Sequence, residues 1–380
     1  MWIGTYESDY PRTRVLISGL RELGVEVVEC HRPVWELTRH KAGTFLSPGR
    51  LPATAARFAG AWGALALEQR RIGPVDAVVA GYPAQLDAPF AAACARARRV
   101  PLVVDAMISL SDTLLGDRKR VGRVTGTTLE QLDRVATRSA DLLITDTNSH
   151  AAYFASRFDV GRDRIGIVPV GAEPSLFPPA AQPDGEVRAL FYGKLAPLHG
   201  LETVLAAARI PGVPPVRLIG DGQLRPWLDA ELARAHPVGL EHESWVPYEQ
   251  LGGELASAAI CLGIFGTSEK ARRVVPNKVY QAMAVGRPIV TADTPGAREV
   301  LTDGENAILV PAGDPGALAA AMIRLAGDSN LRARLGESAH RRFCEIGTPA
   351  AVARRLLESL PHARRLGKAD RTLDLRRTQG

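Results

Sequence analysis

The chain has 380 residues, of which 46% are hydrophobic and 23% are charged, and its formal net charge at pH 7 is +6. This length exceeds what one hydrophobic core usually organises, so we expect about two domains, and the composition excludes a disordered or fibrous chain. No long basic run indicates nucleic-acid binding, and no apolar run is as long as a membrane span. The cysteines are far apart and form no C-x-x-C pair, which argues against a metal site; they are Cys30, Cys94, Cys261 and Cys344. Because no secretory leader is recognised, we expect a cytoplasmic protein.

The first half of the chain alternates short apolar segments with helical ones. Strands are predicted at residues 1–5, 25–31, 75–80, 100–106 and 140–146. These segments are nearly continuous runs of Val, Leu and Ile, as in "VPLVVDA" and "ADLLITD", which is typical of parallel strands covered on both faces. Residues 1–170 are therefore predicted to form a doubly wound α/β lobe of the Rossmann type.

The stretch from Arg164 to Val187 is dense in Pro and Gly, which marks a connection between two lobes. After it the alternation starts again. Strands are predicted at residues 188–194, 215–222, 258–265, 287–293 and 306–312. Residues 180–348 are thus predicted to form a second Rossmann-like lobe facing the first, and residues 349–380 a C-terminal helix with a basic tail.

Four cations surround Pro276 in the stretch "KARRVVPNKVYQAMAVGRPIV". They are Lys270, Arg272, Arg273 and Lys278. Pro276 and Gly286 are typical of the start and end of a helix, so Lys278 is expected in its first turn and the other cations in the loop before it. A helix N-terminus already carries partial positive charge, so this cluster is unfavourable unless an anion lies among the side chains. A polyphosphate suits forked Arg and compact Lys donors; a solvated basic face is the alternative.

Two other strand ends of this lobe are expected to contact the same ligand, because ligands of open α/β sheets lie outside the carboxyl ends of the strands. In "FYGKLAPLHGLETVL", the residues Gly193, Lys194 and His199 come between a strand and a helix. In "LIGDGQLRPWL", Gly220 and Asp221 follow another strand. A polar surface loop and a purely structural turn are the respective alternatives.

Five stretches of the chain together resemble the retaining glycosyltransferases of family four, which have the GT-B fold. They are "IVPVGAEPSLFPP", "FYGKLAPLHGLETVL", "RLIGDGQLRPWL", "SWVPYEQLGGELASAAICLGI" and "PNKVYQAMAVGRPIVTADTPGAREVLTDGENAILVPAGDPGALAAAM". The resemblance runs from about Gly4 to Leu360 and is densest in the C-terminal half. It implies two Rossmann-like lobes around a cleft, with a donor nucleotide-sugar bound mainly by the C-terminal lobe and an acceptor bound mainly by the N-terminal lobe.

The resemblance also implies sugar transfer to a hydroxyl or amine with retention of anomeric configuration. A UDP-sugar is the leading expectation for the donor, which is a substrate, so that no separate cofactor is expected. The chain has no D-x-D motif, so no metal is expected at the diphosphate. The acceptor is expected to be a sugar, a glycolipid or a natural product, and peripheral membrane contact is left open.

Several donor-site residues carry over from the family. Lys194 and His199 stand where the family directs two cations at the diphosphate, and Val246 and Pro247 stand beside the nucleotide base. The side chains expected to stabilise the leaving diphosphate are Lys194, Arg273 and Lys278.

The chain departs from the family at His199, where the family carries a Lys. It also departs at Arg273 and Gln281, where the family carries a pair of Glu. The second Glu binds the ribose hydroxyls, a task that Gln281 retains through its carbonyl oxygen. The first lies near the donor sugar, where an Arg accepts no hydrogen bond. Glu269, or the backbone of Gly266 and Thr267, is expected to replace it.

In the N-terminal lobe, polar residues after the first strand are expected to line the acceptor side of the cleft. They are Thr5, Tyr6, Glu7, Asp9 and Arg12. Asp105 is expected to enter the same space as a catalytic group, with Ser109 and Asp112 behind it, in place of a His that related enzymes often carry. Helix capping by Asp9 or Asp105 is the alternative.

One further segment has two possible roles, and the sequence leaves two alternatives to the transferase function. Residues 50–73 predict an amphipathic helix that packs on its lobe, with docking on a membrane surface as the alternative. Because of Arg273 and Gln281, an inactive nucleotide-binding protein that serves as a partner or regulator is an alternative to the transferase. A sugar-nucleotide epimerase of the same fold is the other.

Overall fold

The computed structural model describes residues 1–34, 51–117 and 123–360, and in this part of the chain it contains two six-stranded sheets whose paired strands are all parallel. The first sheet has the order β2-β1-β3-β4-β5-β6. Its strands are β1 (Trp2–Gly4), β2 (Glu29–His31), β3 (Val78–Ala80), β4 (Leu102–Asp105), β5 (Leu142–Thr145) and β6 (Ile165–Ile167). Strand β6 lies at the start of the Pro- and Gly-rich stretch, so the prediction that the whole stretch is a connection was wrong there.

The second sheet has the order β12-β11-β10-β7-β8-β9. Its strands are β7 (Ala189–Tyr192), β8 (Val216–Ile219), β9 (Leu240–Glu243), β10 (Ile260–Leu262), β11 (Ile289–Ala292) and β12 (Ile308–Val310). This sheet follows the first in the chain, and helices cover both. The predicted pair of Rossmann-like lobes is therefore confirmed.

The helices alternate with the strands. In the N-terminal half they are α1 (Pro11–Glu22), α2 (Leu51–Glu68), α3 (Ala88–Arg98), α4 (Arg123–Ser139) and α5 (Asn148–Phe158). In the C-terminal half they are α6 (Leu201–Ala208), α7 (Arg225–Arg234), α8 (Leu251–Ser257), α9 (Glu269–Arg273), α10 (Asn277–Val285), α11 (Pro295–Arg298), α12 (Pro315–Gly327), α13 (Ser329–Ile346) and α14 (Pro349–Ser359). In the part of the chain that the structure describes, no helix combines the length and apolar character needed to cross a membrane.

Each sheet separates two hydrophobic clusters, because successive side chains of a strand point to opposite faces. In β1, Ile3 belongs to one cluster and Trp2 to the other. In β7, Phe191 and Tyr192 divide in the same way. Burial of both faces explains the nearly continuous apolar runs in the sequence.

The last described helix, α14, returns to the N-terminal lobe and packs on α1. Its Val352 is fully buried in the cluster that contains Val15 of α1. A Cβ at Gly19 of α1 would lie 1.9 Å from the carbonyl oxygen of Pro349, so only glycine permits this approach. The predicted C-terminal helix is thus part of the N-terminal lobe, and the predicted basic tail lies outside the described residues.

Candidate functional site

The carboxyl ends of β7 and β8 lie side by side and form the floor of the candidate site. The backbone N–H of Gly193 donates to the carbonyl of Ile219 over 2.9 Å, and that of Leu195 donates to Asp221 over 3.0 Å. A Cβ at Gly220 would lie 2.1 Å from the carbonyl oxygen of Gly193. The two turns therefore pack backbone against backbone, so Gly220 has a structural role and Asp221 projects into solvent beside it.

Lys278 is the buried cation of this site. It lies in the first turn of α10, and its Nζ is 4.0 Å from the centroid of the Phe191 ring. The side chain is 5% exposed, and Nζ has no hydrogen-bond partner among the described residues. Burial lowers the pKa of its ammonium group to about 7. An ammonium that is desolvated and unpaired is costly, and a bound anion would offset that cost.

Gly193 brings Lys278 and His199 together. An added Cβ at Gly193 would lie 3.5 Å from Lys278 Nζ and 3.2 Å from His199 Cε1. Gly200, with φ +67°, follows His199 and precedes α6, so the free N–H groups of that helix begin next to the same point. Lys194, directly after Gly193, is exposed. Lys278, His199 and the start of α6 are thus grouped around one glycine.

Arg273 and Lys270 of the cation cluster are engaged by groups of the N-terminal lobe, and Arg272 is exposed. Arg273 donates to Asp112 Oδ2 of the N-terminal lobe over 2.8 Å, and its guanidinium lies 4.1 Å from the centroid of the Tyr153 ring. Lys270 Nζ donates to Thr113 Oγ1. Arg273 is therefore not placed as a diphosphate ligand, because a carboxylate across the cleft already holds it. The loop predicted for these residues is the short helix α9.

Further contacts join the two lobes beside the ion pair of Arg273 and Asp112. The carboxylate of Glu299 accepts hydrogen bonds from the backbone N–H groups of Asn148 and Ser149 over 2.6 and 2.8 Å, and so caps α5 from the other lobe. The N–H of Val275 donates to Asp146 Oδ2 over 3.3 Å. The lobes therefore face each other with the carboxyl ends of their sheets, where ligands of such sheets bind.

Gln281 is 2% exposed and lies between two tyrosines. The hydroxyl of Tyr192 donates to Gln281 Oε1, and Gln281 Nε2 donates to the hydroxyl of Tyr248 over 3.0 Å. Tyr248 in turn donates to Glu173 over 3.3 Å and packs under Arg14. Both ends of the amide are thus engaged, and the expected ribose contact of Gln281 does not fit this arrangement.

A cleft of about 640 Å³ lies between the lobes. Asp112 and Asp117 line it from the N-terminal lobe, and the segment from Gly266 to Lys270 lines it from the C-terminal lobe. Gly266, Thr267 and Glu269 all line the cleft. The start of α6, including Gly200, also borders it, which connects the cleft to the site of Lys278.

Arg12 and Asp105 form a buried ion pair inside the N-terminal lobe. Arg12 Nε lies 2.9 Å from Asp105 Oδ2 and 3.0 Å from Oδ1, and the two residues are 0% and 1% exposed. Arg12 also donates to the carbonyl of Val168 over 2.9 Å. The expectation that these side chains contact ligands in the cleft is corrected accordingly, because each satisfies the other in the interior.

Other residues after β1 are also turned inward. Thr5 donates its backbone N–H to Asp87 over 2.6 Å, and the hydroxyl of Tyr6 donates to Glu29 over 3.0 Å; both residues are fully buried. Glu7 is half-buried and Asp9 is exposed, so these two remain as candidates on the acceptor side. No side chain caps α1, whose N-cap is Tyr10, so the capping alternative for Asp9 does not apply.

The loop after β9 holds the residues expected at the nucleotide base. Val246 and Pro247 are half-buried, and Trp245 beside them is 69% exposed. Helix α2, predicted as amphipathic, buries Phe58 and Leu65 and leaves Leu67 64% exposed; Arg50 lies outside the described residues.

Sequence reasoning missed the aromatic partner of Lys278 and the role of Asp112. Phe191 has a weak signal, since it lies two residues before Gly193 and alternation in β7 puts its ring near the strand end. Asp112 has no comparable signal, because its partner Arg273 is 161 residues away. In the described ranges, no group of three or more His, Cys, Asp or Glu is arranged to hold a metal ion.

Both halves of the chain match families of known proteins. Residues 8–171 match the family described as "Glycosyl transferase 4-like domain", and residues 186–328 match "Glycosyl transferases group 1". The D-inositol 3-phosphate glycosyltransferase of Thermomonospora curvata is 28% identical over 251 residues, which cover 58% of this chain and 57% of that protein. The chain therefore spans a little more than half the length of the curated relatives it matches.

Two solved structures illustrate the likeness in fold. Sucrose-phosphate synthase from Thermosynechococcus elongatus superposes with a TM-score of 0.71 at 18% identity, covering 94% of this chain and 93% of that chain. HepE of Anabaena, in complex with UDP and glucose, superposes with a TM-score of 0.60 at 18% identity, covering 90% and 88%. At these identities the likeness shows the fold alone.

Proposed function

We propose that this chain, which belongs to the GT-B glycosyltransferases that join a glycosyl transferase 4-like domain to a group 1 domain, transfers a sugar from a nucleoside-diphosphate donor to an acceptor. The donor diphosphate binds at Gly193, beside Lys278, Lys194 and His199. The observation that carries this proposal is the buried ammonium of Lys278, which has no hydrogen-bond partner within the described part of the chain.

In the proposed reaction, negative charge develops on the diphosphate as its bond to the sugar breaks. Lys278 and Lys194, together with the free N–H groups at the start of α6, stabilise that charge, and they are most effective where water is excluded. A cation held in an apolar site before the ligand arrives needs little reorganisation during the reaction. These two lysines and the N–H groups of α6 support transfer without a metal at the diphosphate. The family resemblance supports retention at the anomeric carbon.

The donor is proposed to be a UDP-sugar, which the complexes of HepE with UDP, glucose and UDP-glucose support. The acceptor is proposed to be a polyhydroxylated compound bound against the N-terminal lobe near Glu7 and Asp9. The name of the inositol-phosphate relative supports a polyol.

A second function is favoured by one specific observation. Arg273 and Gln281 stand where the family has Glu, and both are engaged by protein groups, Asp112 for one and two tyrosines for the other. An inactive protein that binds a nucleotide-sugar as a regulator would tolerate this arrangement. An epimerase would differ from both by changing the donor without an acceptor.

One series of measurements separates the three. The native protein is screened by thermal shift against nucleoside diphosphates and their sugars, since a ligand of the folded state raises its stability. The stabilising nucleotide-sugar is then incubated alone and with polyol and sugar acceptors, and the products are analysed by NMR. A new glycoside with the donor's anomeric configuration supports the proposal. Binding without product supports the regulator, an epimerised donor supports the epimerase, and no stabilisation by any diphosphate contradicts all three.

A further inference from the structure

The pair Arg273 and Asp112 crosses the cleft at the edge of the proposed donor site. The two side chains are 15% and 14% exposed and lie 2.8 Å apart. Such a pair is largely protected from solvent screening, so its geometry is well defined. The ring of Tyr153 on one side of the guanidinium restricts it further.

The short π-helical segment Asp112–Asp117 is fixed at its start from inside the N-terminal lobe. Asp133, which is 1% exposed, accepts hydrogen bonds from the backbone N–H groups of Leu110 and Ser111, each over 2.9 Å. It also accepts from the hydroxyl of Ser109 over 2.7 Å, and the N–H of Asp112 donates to that hydroxyl over 3.1 Å. Asp112 is thus held through its backbone by Ser109, which Asp133 positions, and through its side chain by Arg273.

Asp112 retains capacity to accept hydrogen bonds. Arg273 engages Oδ2, and no hydrogen bond joins Oδ1 to any residue that the structure describes. A carboxylate has about four acceptor positions, so several are left for a ligand in the cleft. Asp112 lines that cleft opposite Gly266 and Thr267.

The cleft and the diphosphate site adjoin. Gly200 borders the cleft, follows His199, and lies against Phe265, whose N–H donates to the carbonyl of His199 over 3.0 Å. Lys278 lies on the His199 side. The carboxylates of Asp112, Asp117 and Glu269 lie on the cleft side. Lys270 also lines the cleft, but its Nζ donates to Thr113 Oγ1. A ligand with an anionic part and a neutral polyhydroxyl part would therefore have one orientation, with the hydroxyls toward Asp112.

We infer that Asp112, positioned by Arg273, accepts hydrogen bonds from hydroxyls of the sugar to be transferred and thereby selects the donor sugar. The inference rests on the proposed function. It also accounts for the Arg at position 273: the carboxylate comes from the opposite lobe, and the Arg orients it.

Glu269 is the competing carboxylate, because it lines the same cleft from α9. It is exposed, and it forms no ion pair with any residue in the described part of the chain. Holding its longer side chain against a sugar would cost rotamer entropy that Asp112 has already lost. Glu269→Gln therefore tests the competing assignment directly.

The test compares binding of nucleotide-sugars with binding of the bare nucleotides, by titration calorimetry. The probes are UDP, UDP-glucose, UDP-N-acetylglucosamine, GDP and GDP-mannose, and the proteins are the native chain, Asp112→Asn, Arg273→Lys and Glu269→Gln. The readout is the affinity for the best native nucleotide-sugar divided by that for its nucleoside diphosphate. A role limited to holding the lobes together would change both affinities alike.

For Asp112→Asn we expect this ratio to fall roughly 10- to 100-fold, as for the loss of hydrogen bonds to a charged group, while the bare nucleotide binds as before. Arg273→Lys keeps the charge but loses the planar fork, so its ratio should fall less. Glu269→Gln should leave the ratio unchanged. An unchanged ratio in Asp112→Asn, or a fall in Glu269→Gln instead, would overturn the inference, whereas failure of every probe to bind the native chain would overturn the proposed function.

Discussion

The ammonium nitrogen of Lys278 lies 4.0 Å from the centroid of the Phe191 ring, at the carboxyl end of β7. The ring offers a weak partner for the charge, and burial removes the water that would otherwise solvate it. The protein therefore keeps a destabilising group at the point where a diphosphate is proposed to bind. Stability is commonly traded for function in this way at active sites.

Replacing Lys278 with Met is expected to stabilise the protein in the absence of ligand. Burial lowers the pKa from 10.5 to about 7, so the unfolded chain binds this proton more tightly than the folded one. The resulting penalty, on the order of a few kcal/mol, is fully present below pH 7 and disappears as the pH rises toward 10.5. Melting temperatures at about pH 6 and about pH 9 would show a larger gain at the lower pH. Lys194→Met, at an exposed lysine, should leave the melting temperature unchanged at both pH values. Equal effects of the two substitutions would refute the assignment of Lys278 as the buried, destabilising cation.

Donor binding is expected to weaken as the pH rises above about 7, because only the protonated Lys278 attracts the diphosphate. The affinity should fall by up to about tenfold for each pH unit, with uptake of about one proton per donor bound. Calorimetry with a nucleotide-sugar in buffers of different ionisation enthalpy measures this uptake. Lys278→Arg, which does not titrate in this range, should bind without it. A flat affinity between about pH 7 and about pH 9 in the native protein would show that another group binds the donor.

Introducing the family's Glu at position 281 is expected to destabilise the protein. Gln281 donates to the hydroxyl of Tyr248, which itself donates to Glu173. Burial raises the pKa of both Tyr192 and Tyr248 well above its ordinary value, so both hydroxyls stay protonated. A carboxylate at position 281 would lose the donated bond and place a buried charge on the same Tyr248 hydroxyl that contacts the partly exposed Glu173, which costs about 1 to 3 kcal/mol. Urea unfolding of Gln281→Glu against Gln250→Glu, at an exposed position, measures this; equal stabilities would contradict it.

Replacing Asp105 with Asn is expected to act on stability and not on ligand binding. The change leaves the fully buried guanidinium of Arg12 without its carboxylate, which costs about 3 to 5 kcal/mol. Nucleotide-sugar affinity of the folded variant should match that of the native chain. Asp76→Asn, at an exposed aspartate, is the control. A stable Asp105→Asn variant with impaired turnover would instead restore Asp105 as a catalytic candidate.

Local patterns predict the architecture and the centre of the candidate site. Runs of Val, Leu and Ile between helical segments predict buried parallel strands, and Pro276 and Gly286 bracket α10 within one or two residues. Gly193 and Lys278 meet because both lie at strand or helix ends that the fold brings together. Gly193 after a strand and Lys278 at a helix start are each recognisable in the sequence, and each indicates the site.

Long-range polar partners are what the sequence does not reveal. From the sequence Arg273 is predicted to bind phosphate, but in the structure it pairs with Asp112 of the other lobe. Gln281 is predicted to bind ribose, but its amide is hydrogen-bonded to Tyr192 and Tyr248. Arg12 and Asp105 are 93 residues apart and neutralise each other in the interior. Only the folded chain distinguishes a charge that awaits a ligand from a charge that already has a partner.

The central claim is that a nucleotide-sugar binds with its diphosphate at Lys278. It is tested most directly by titrating the nucleotide-sugar that best stabilises the native chain into native protein and into Lys278→Met. We predict binding to the native chain and a loss of at least about 100-fold in the variant, which should remain folded with a raised melting temperature, because a desolvated ion pair is strong. Equal affinity of the two proteins would contradict the claim.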